Sequence, residues 1–261
     1  MIRTVRAIEF QKRMQKGSKW PILCTCQEEN KNVDVIAKFS GKLLRDRFSL
    51  VIEYVASVLA HDLGIESSDI VAVKTSEPFV QSVLDAGDKA CADLIQRSLD
   101  LNIGSIFLGP GFNVVKPSEK TLARQRSCFT DIVAFDFLIQ NLDREPDNPN
   151  VLRKGEKFVL IDHEQAFGHL DNHHQQEFHT DELRIEGLFS HVFSSSIDLA
   201  TDFRPFFERL RCLPDTCFDG YFKALPQDWM DSRTKMLAKY LRWTREHAVE
   251  ICEYLSSYIR P

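Results

Sequence analysis

The stretch Gln140–Phe167, QNLDREPDNPNVLRKGEKFVLIDHEQAF, decides how the rest of the chain is read. Asp143 is followed within seven residues by Asn148 and Asn150. Val151–Leu152, a polar turn and the apolar run Phe158–Ile161 come next, and that run ends on Asp162. Two short apolar runs around a Gly-containing polar turn predict a β-hairpin. Such a hairpin returns Asp162 to the mouth of the loop that carries Asp143. Taken alone, DREPDNPN is a run of turn formers, and an Asp there is ordinary turn chemistry. The setting argues otherwise, because two carboxylates gathered at a hairpin mouth repel unless a cation neutralises them.

Those residue types in that order match the needs of phosphoryl transfer to a hydroxyl. One carboxylate must accept or orient the hydroxyl proton, while an amide oxygen and a second carboxylate hold Mg²⁺ against the triphosphate of ATP. Asp143 fits the first role, Asn148 or Asn150 the second, and Asp162 the third. Asn148 stands five residues after Asp143, the D-x-x-x-x-N spacing of a kinase catalytic loop. Asn150 directly precedes the apolar strand, where that Asn also normally lies, so both stay in play. His163 and Glu164 either tune the metal site or cap the turn.

The first third of the chain reads as strand-rich, with strands expected at Thr4–Phe10, Trp20–Cys26, Val33–Phe39 and Ile70–Lys74. Phe48–Leu63 carries apolar residues at helical spacing and stops at Gly64. A second helical stretch is expected within Phe79–Leu101. Gly104, Gly109 and Gly111 then suggest a glycine-containing loop. From Ser118 a helix is expected to run to the Asp143 loop, and Asp228–Ile259 closes the chain as helix, with Leu237, Leu241, Ile251 and Leu255 on a buried face that Met236 and Val249 widen. Strands first and helices afterwards is the pattern of an α+β protein in two segregated parts, residues 1–117 and 118–261.

Lys38 interrupts an apolar strand, and Glu53 lies within the apolar helix that follows. A strand Lys usually faces solvent, but an inward Glu needs a partner, and Lys38 is the natural one. A strand Lys held by a helix Glu, with the Lys on the α- and β-phosphates, is a kinase arrangement. Gly17 and Ser18 occupy the first turn, where backbone N–H groups can face phosphate. The histidines at 169, 173, 174 and 179 sit among Asn, Asp and Gln and read as a surface loop. His169 and His173 have H-x-x-x-H spacing but no Glu between them, which argues against a metal-dependent hydrolase.

Apolar residues at 43% and charged residues at 27% describe an ordinary globular protein. A net charge of −5 gives no electrostatic footprint for nucleic acid. No basic patch points to a lipid surface, no apolar run is long enough for a bilayer, and the first residues hold no secretory h-region. Seven scattered cysteines suggest reduced thiols and a cytoplasmic setting. Cys24 and Cys26 would point to one side of a strand, which favours packing over zinc.

The order Lys38, Glu53, D-R-x-x-x-N-P-N and I-D-H-E resembles the HipA-like kinases, in their compact single-chain form. More distantly it is similar to phosphoinositide-type kinases. The resemblance extends to G-S-K-x-P at Gly17–Pro21, Leu63-Gly64-Ile65 after the Glu53 helix, and L-P-x-x-W at Leu225–Trp229. It implies a two-lobed protein-kinase-like fold, with a strand-rich N-lobe, a mainly helical C-lobe, and ATP and Mg²⁺ between them. By position, Lys38 would contact phosphates, Glu53 would orient it, Asp143 would be the base, and Asp162 with Asn148 or Asn150 would hold the metal. A protein serine or threonine is the expected acceptor, and toxin behaviour with an antitoxin-like partner is a family trait. The loop here is two residues longer than usual, and the chain lacks room for the family's extra N-terminal subdomain. A small-molecule kinase and a nucleotide-binding pseudokinase are the competing expectations.

Overall fold

The computed structural model describes residues 1–14, 20–42, 47–98, 100–116, 122–171 and 177–259. Two compact units emerge, and they interleave along the chain. One comprises Met1–Tyr54, Ser68–Pro110 and Ala224–Met230, the other Val55–Ser67, Gly111–Lys223 and Asp231–Pro261. A single boundary near residue 117 therefore does not describe the grouping of contacts.

The first unit is built on a barrel. Strands β1 (Thr4–Arg13), β2 (Ile22–Glu28) and β3 (Lys31–Lys38) pair antiparallel in sequence order. Helix α1 (Arg47–Asp62) follows and ends before Gly64, whose φ of +77° suits a residue without Cβ. Strand β4 (Ile70–Lys74), helices α2 (Glu77–Asp85) and α3 (Lys89–Gln96), and strand β5 (Leu101–Ile106) complete the set. The strands close in the order β1-β2-β3-β5-β4, with β1 and β4 parallel. Alternate residues point inward: Val5 and Ala7, Ile22, Cys24 and Cys26, Val35 and Ala37, Val71 and Val73 are all buried. Cys24 and Cys26 thus pack on one strand face, with Sγ atoms 3.7 Å apart. Their mutual hydrogen bond, followed by burial, pushes the Cys24 thiol far up, so it is no nucleophile.

Two expectations change here. The stretch Phe79–Leu101 is two helices, because Gly87 at φ +84° turns the chain and Asp88 caps α3 by accepting from the Cys91 N–H. Gly104 is no loop residue but lies in β5, where a Cβ would come within 2.4 Å of Val35 Cγ1 and 2.8 Å of Val73 Cγ2. Both neighbours are β-branched and stiff. Gly104→Ala is therefore expected to destabilise the protein by about 1–3 kcal/mol, the usual cost of overpacking. A chemical-denaturation midpoint equal to wild type would show that the barrel yields at that point.

The second unit, besides the end of α1, carries β6 (Asn113–Val114), α4 (Arg126–Leu138), β7 (Val151–Lys154) and β8 (Lys157–Leu160). It continues with α5 (Glu186–Ser190), α6 (Arg204–Arg211), α7 (Asp215–Lys223), α8 (Ser232–Glu246) and α9 (Ala248–Ser257). The order β6-β7-β8 forms an antiparallel sheet. Ser118 lies outside the described residues, and α4 begins at Arg126 after a short turn at Ala123–Gln125. The closing helical stretch breaks at His247. Leu237, Leu241, Ile251 and Leu255 are buried as their spacing implies, whereas Val249 is exposed on the far side of α9. Among the described residues no helix is long and apolar enough to cross a membrane.

Candidate active site

The β7–β8 hairpin forms where two short apolar runs flank Gly155, whose φ is +61°. Val151 faces Leu160, and the ladder continues as the Ile161 N–H donates to the Asn150 carbonyl at 3.0 Å. Asn150 and Asp162 therefore sit together at the hairpin mouth. Both adopt left-handed backbone, φ +47° and +58°, which Asn and Asp tolerate better than other side chains. Gln140 (φ +53°) and Phe167 (φ +57°) do the same at the two ends of the stretch, where the geometry is costlier. Backbone strain gathered in one short region is common at functional sites.

Asp143 lies half-buried beside this mouth. Its Oδ2 accepts hydrogen bonds from Asn148 Nδ2 at 2.8 Å and Asn150 Nδ2 at 3.3 Å, and its N–H donates to Asn141 Oδ1 at 3.3 Å. Both Asn side chains thus spend their N–H groups on Asp143, which leaves each amide oxygen directed away from that carboxylate. Burial, aided by the negative charge of Asp162 and opposed by the Asn148 hydrogen bond, raises the Asp143 pKa above the ordinary Asp value. The sequence places Asp143, Asn148, Asn150 and Asp162 in one constellation, and the structure brings all four together.

Among the described residues no group of three or more His, Cys, Asp or Glu side chains could hold a metal. The groups that could supply donors here are instead one carboxylate, Asp162, and an Asn amide oxygen. That set suits Mg²⁺, which keeps hard oxygen ligands and takes the remainder from phosphate and water. The repulsion between Asp162 and Asp143 gives a cation there an electrostatic role.

A buried network beneath the site was not legible as such. Arg144, 1% exposed, donates from Nε to Asp136 Oδ2, and from Nη1 to the carbonyls of Asn150 and Ile161. One guanidinium thereby holds the backbone on both sides of the hairpin mouth. Asp136 also accepts from Asn141 Nδ2 at 3.1 Å and from His191 Nε2 at 2.9 Å. The Phe193 N–H donates to His191 Nδ1, so the proton of His191 sits on Nε2. On the other side, Arg144 Nη2 meets His163 Nδ1 at 3.4 Å, and His163 Nε2 faces Ser67 Oγ at 3.1 Å. The His163 ring is therefore engaged in this network rather than left as a free metal ligand, while its carbonyl accepts from the Ala166 N–H at 2.9 Å and closes the following turn. Burial alone would raise the Asp136 pKa, but the charge of Arg144 and the His191 hydrogen bond overcome it and hold the carboxyl well below the usual range. A sequence signal did exist: Asp136 interrupts the apolar run IVAFDFL, and a carboxylate inside a buried helix needs partners.

In the first unit, Lys38 at the end of β3 forms an ion pair with Glu53 of α1. Glu53 is 3% exposed, so the inward Glu has the partner expected of it. Gly17, Ser18, His173 and His174 lie outside the described residues. His179 is exposed, with Nε2 3.9 Å from Glu177 Oε2. Beside Asp143 in the second unit opens a cavity of about 370 Å³, lined by Gln140, Leu142, Asp143, Glu145, Gln165, Gly168, His169 and Arg184.

The structure of a Helicobacter pylori proinflammatory kinase, CtkA, is similar over 99% of this chain and 99% of its own, at 10% identity and a TM-score of 0.56. A mixed α/β chain, strand-rich toward its N-terminus and helical toward its C-terminus, thus has a kinase-like fold. A family model described as HipA-like kinase matches residues 7–248. The chain belongs to the HipA-like kinase family. No curated protein matches it at a significant level.

Proposed function

We propose that the protein is an ATP- and Mg²⁺-dependent kinase that phosphorylates a Ser or Thr hydroxyl on a protein. The observation that carries this reading is the Asp143 carboxylate, half-buried, held by two Asn amides and set beside Asp162. Asp143 accepts the proton of the incoming hydroxyl as the oxygen becomes a nucleophile, and a raised pKa makes it a better base than an ordinary Asp. Asp162 and one Asn hold Mg²⁺. Lys38, oriented by Glu53, would contact phosphate oxygens, and Gly17 and Ser18 would be expected to contribute to the same phosphate binding. ATP supplies the phosphoryl group, and the metal offsets its charge.

Asn150 is the better metal ligand of the two, because it shares the hairpin mouth with Asp162 and is half-buried, whereas Asn148 is exposed. Asn148 instead tunes Asp143, since its hydrogen bond lowers that pKa. Asn148→Ala removes a lowering interaction, so the acidic limb of the pH profile of kcat/KM is expected to move to higher pH. Asn150→Ala should leave that limb nearer its wild-type position and raise the Mg²⁺ concentration needed for half-maximal rate by about tenfold or more. Metal titrations and pH profiles of both variants decide this, and the opposite pattern would exchange the two roles.

The reading as a whole is tested by incubating purified protein with Mg²⁺, γ-labelled ATP and a cell lysate. Label on a discrete lysate protein supports it. A nucleotide-dependent rise in melting temperature without transfer would favour a pseudokinase or a small-molecule kinase instead. A cytoplasmic site of action and an antitoxin-like partner are parts of the same proposal.

A further inference from the structure

The cavity beside Asp143 is bounded by charged groups that the protein itself leaves unused. Arg184, Glu145 and Gln165 are exposed on its wall. Among the described residues, the Arg184 guanidinium and the Glu145 carboxylate make no hydrogen bond or ion pair. Yet the segment that carries Arg184 is held firmly against the Asp143 loop. The Arg184 N–H donates to Gln140 Oε1 at 2.7 Å, and the Val192 N–H to the Arg144 carbonyl at 2.9 Å. A Cβ on Gly187 would lie 2.6 Å from Leu142 Cδ2, so the absence of a side chain there lets the two segments approach. From α9, the Tyr254 hydroxyl reaches the carbonyls of Asp181 and Leu183 at 3.3 and 3.4 Å. A fixed main chain thus presents a free cation in the same cavity as the proposed base.

We propose that this cavity receives the acceptor hydroxyl, and that Arg184 selects acceptors with a carboxylate close to that hydroxyl. The proposal rests on the reading of Asp143 as the base. The source we favour is a polypeptide segment in which Asp or Glu flanks Ser or Thr, because the cavity wall is formed in part by exposed side chains and is open to an extended chain. A guanidinium carried on a fixed main chain can pair with a carboxylate through two parallel N–H bonds, which gives geometric selection as well as attraction. Glu145, on the same cavity lining, adds repulsion against acceptors that bring their carboxylate beside it.

The test measures binding rather than transfer, so it does not depend on the phosphoryl chemistry. Serine peptides flanked by Glu, the same peptides flanked by Lys, and a free hydroxy acid are titrated calorimetrically into wild type and Arg184→Glu. Wild type is expected to prefer the Glu-flanked peptide. Reversing the charge should weaken that peptide about tenfold and strengthen the Lys-flanked one. Because the Arg184 side chain is exposed and its main-chain bond is retained, the variant should fold; Arg184→Gln, with an intermediate loss, guards against a folding artefact. Equal binding of both peptides by both proteins overturns the inference even if kinase activity is found. Binding of the hydroxy acid alone overturns the polypeptide source. Absence of labelled product with the charge swap intact would instead count against the kinase reading and leave the anion-selecting cavity standing.

Discussion

Asp143→Ala is expected to lower phosphoryl transfer by about 10²- to 10⁴-fold, the range a positioned general base contributes. The fold should survive, because Asp143 is half-buried and, among the described residues, its carboxylate accepts side-chain hydrogen bonds from two Asn amides whose N–H groups can bond water instead. Removing the negative charge relieves repulsion on Asp162, which weakens the pull on the cation but eases approach of the anionic nucleotide, so affinity for ATP–Mg²⁺ should change little. The decisive pattern is therefore a collapse of kcat with an unchanged nucleotide-dependent shift in melting temperature. Asp162→Ala should give the complementary result, with a loss of metal-dependent nucleotide binding measured by calorimetry with and without Mg²⁺. A fully active Asp143→Ala protein would falsify the assignment of the base.

Arg144→Met is expected to be the most destabilising of the substitutions considered. It strands Asp136 in the interior, and breaking a buried pair by removing one partner costs about 3–5 kcal/mol. The carbonyls of Asn150 and Ile161 lose their shared donor as well. The deficit should depend on pH, with a sign set by Asp136. In wild type the folded-state pKa of Asp136 is depressed, so its contribution is fully present above the unfolded value of about 4 and is lost as pH falls through the folded one. Without Arg144, burial drives that pKa upward and the neutral acid is favoured. Urea unfolding should therefore show a smaller gap between variant and wild type at pH 4 than at pH 7. Removing both charges, in Asp136→Asn/Arg144→Met, should recover part of the stability, because two neutral groups carry no desolvation penalty of that size. An equal gap at both pH values would mean that Asp136 is not the group left uncompensated. Any residual transfer by a folded Arg144 variant would report how far the clamp, rather than the ligands themselves, sets the geometry of the hairpin mouth.

How much of the molecule could be read from its residues depended on the range of the interaction involved. Hairpin periodicity, the alternation along β1 to β3 and the apolar spacing of α1 are local, and they located the strands, the helix and the Asp143–Asp162 constellation to within a few residues. The Lys38–Glu53 pair was legible for a different reason: an inward carboxylate on a helix demands a cation, and a single strand Lys stood near. Local patterns were weaker where one residue changes the path. Gly87 split an expected helix by turning the backbone at positive φ, and Gly104 proved to be a barrel residue because Val35 and Val73 leave no room for a Cβ.

Long-range closure carried the rest. Arg144 reaches Asp136, Asn150, Ile161 and His163, and His191 arrives from 55 residues away, so no window along the chain contains the network. Arg184 looks like any surface arginine until its main chain is seen bonded to Gln140, 44 residues earlier. Side-chain chemistry and short spacing specify which groups can act, because those properties belong to the chain itself. Which of them share a cavity, which are buried with a partner and which are left unpaired is decided only when distant segments pack, since burial and electrostatic environment are properties of the folded volume.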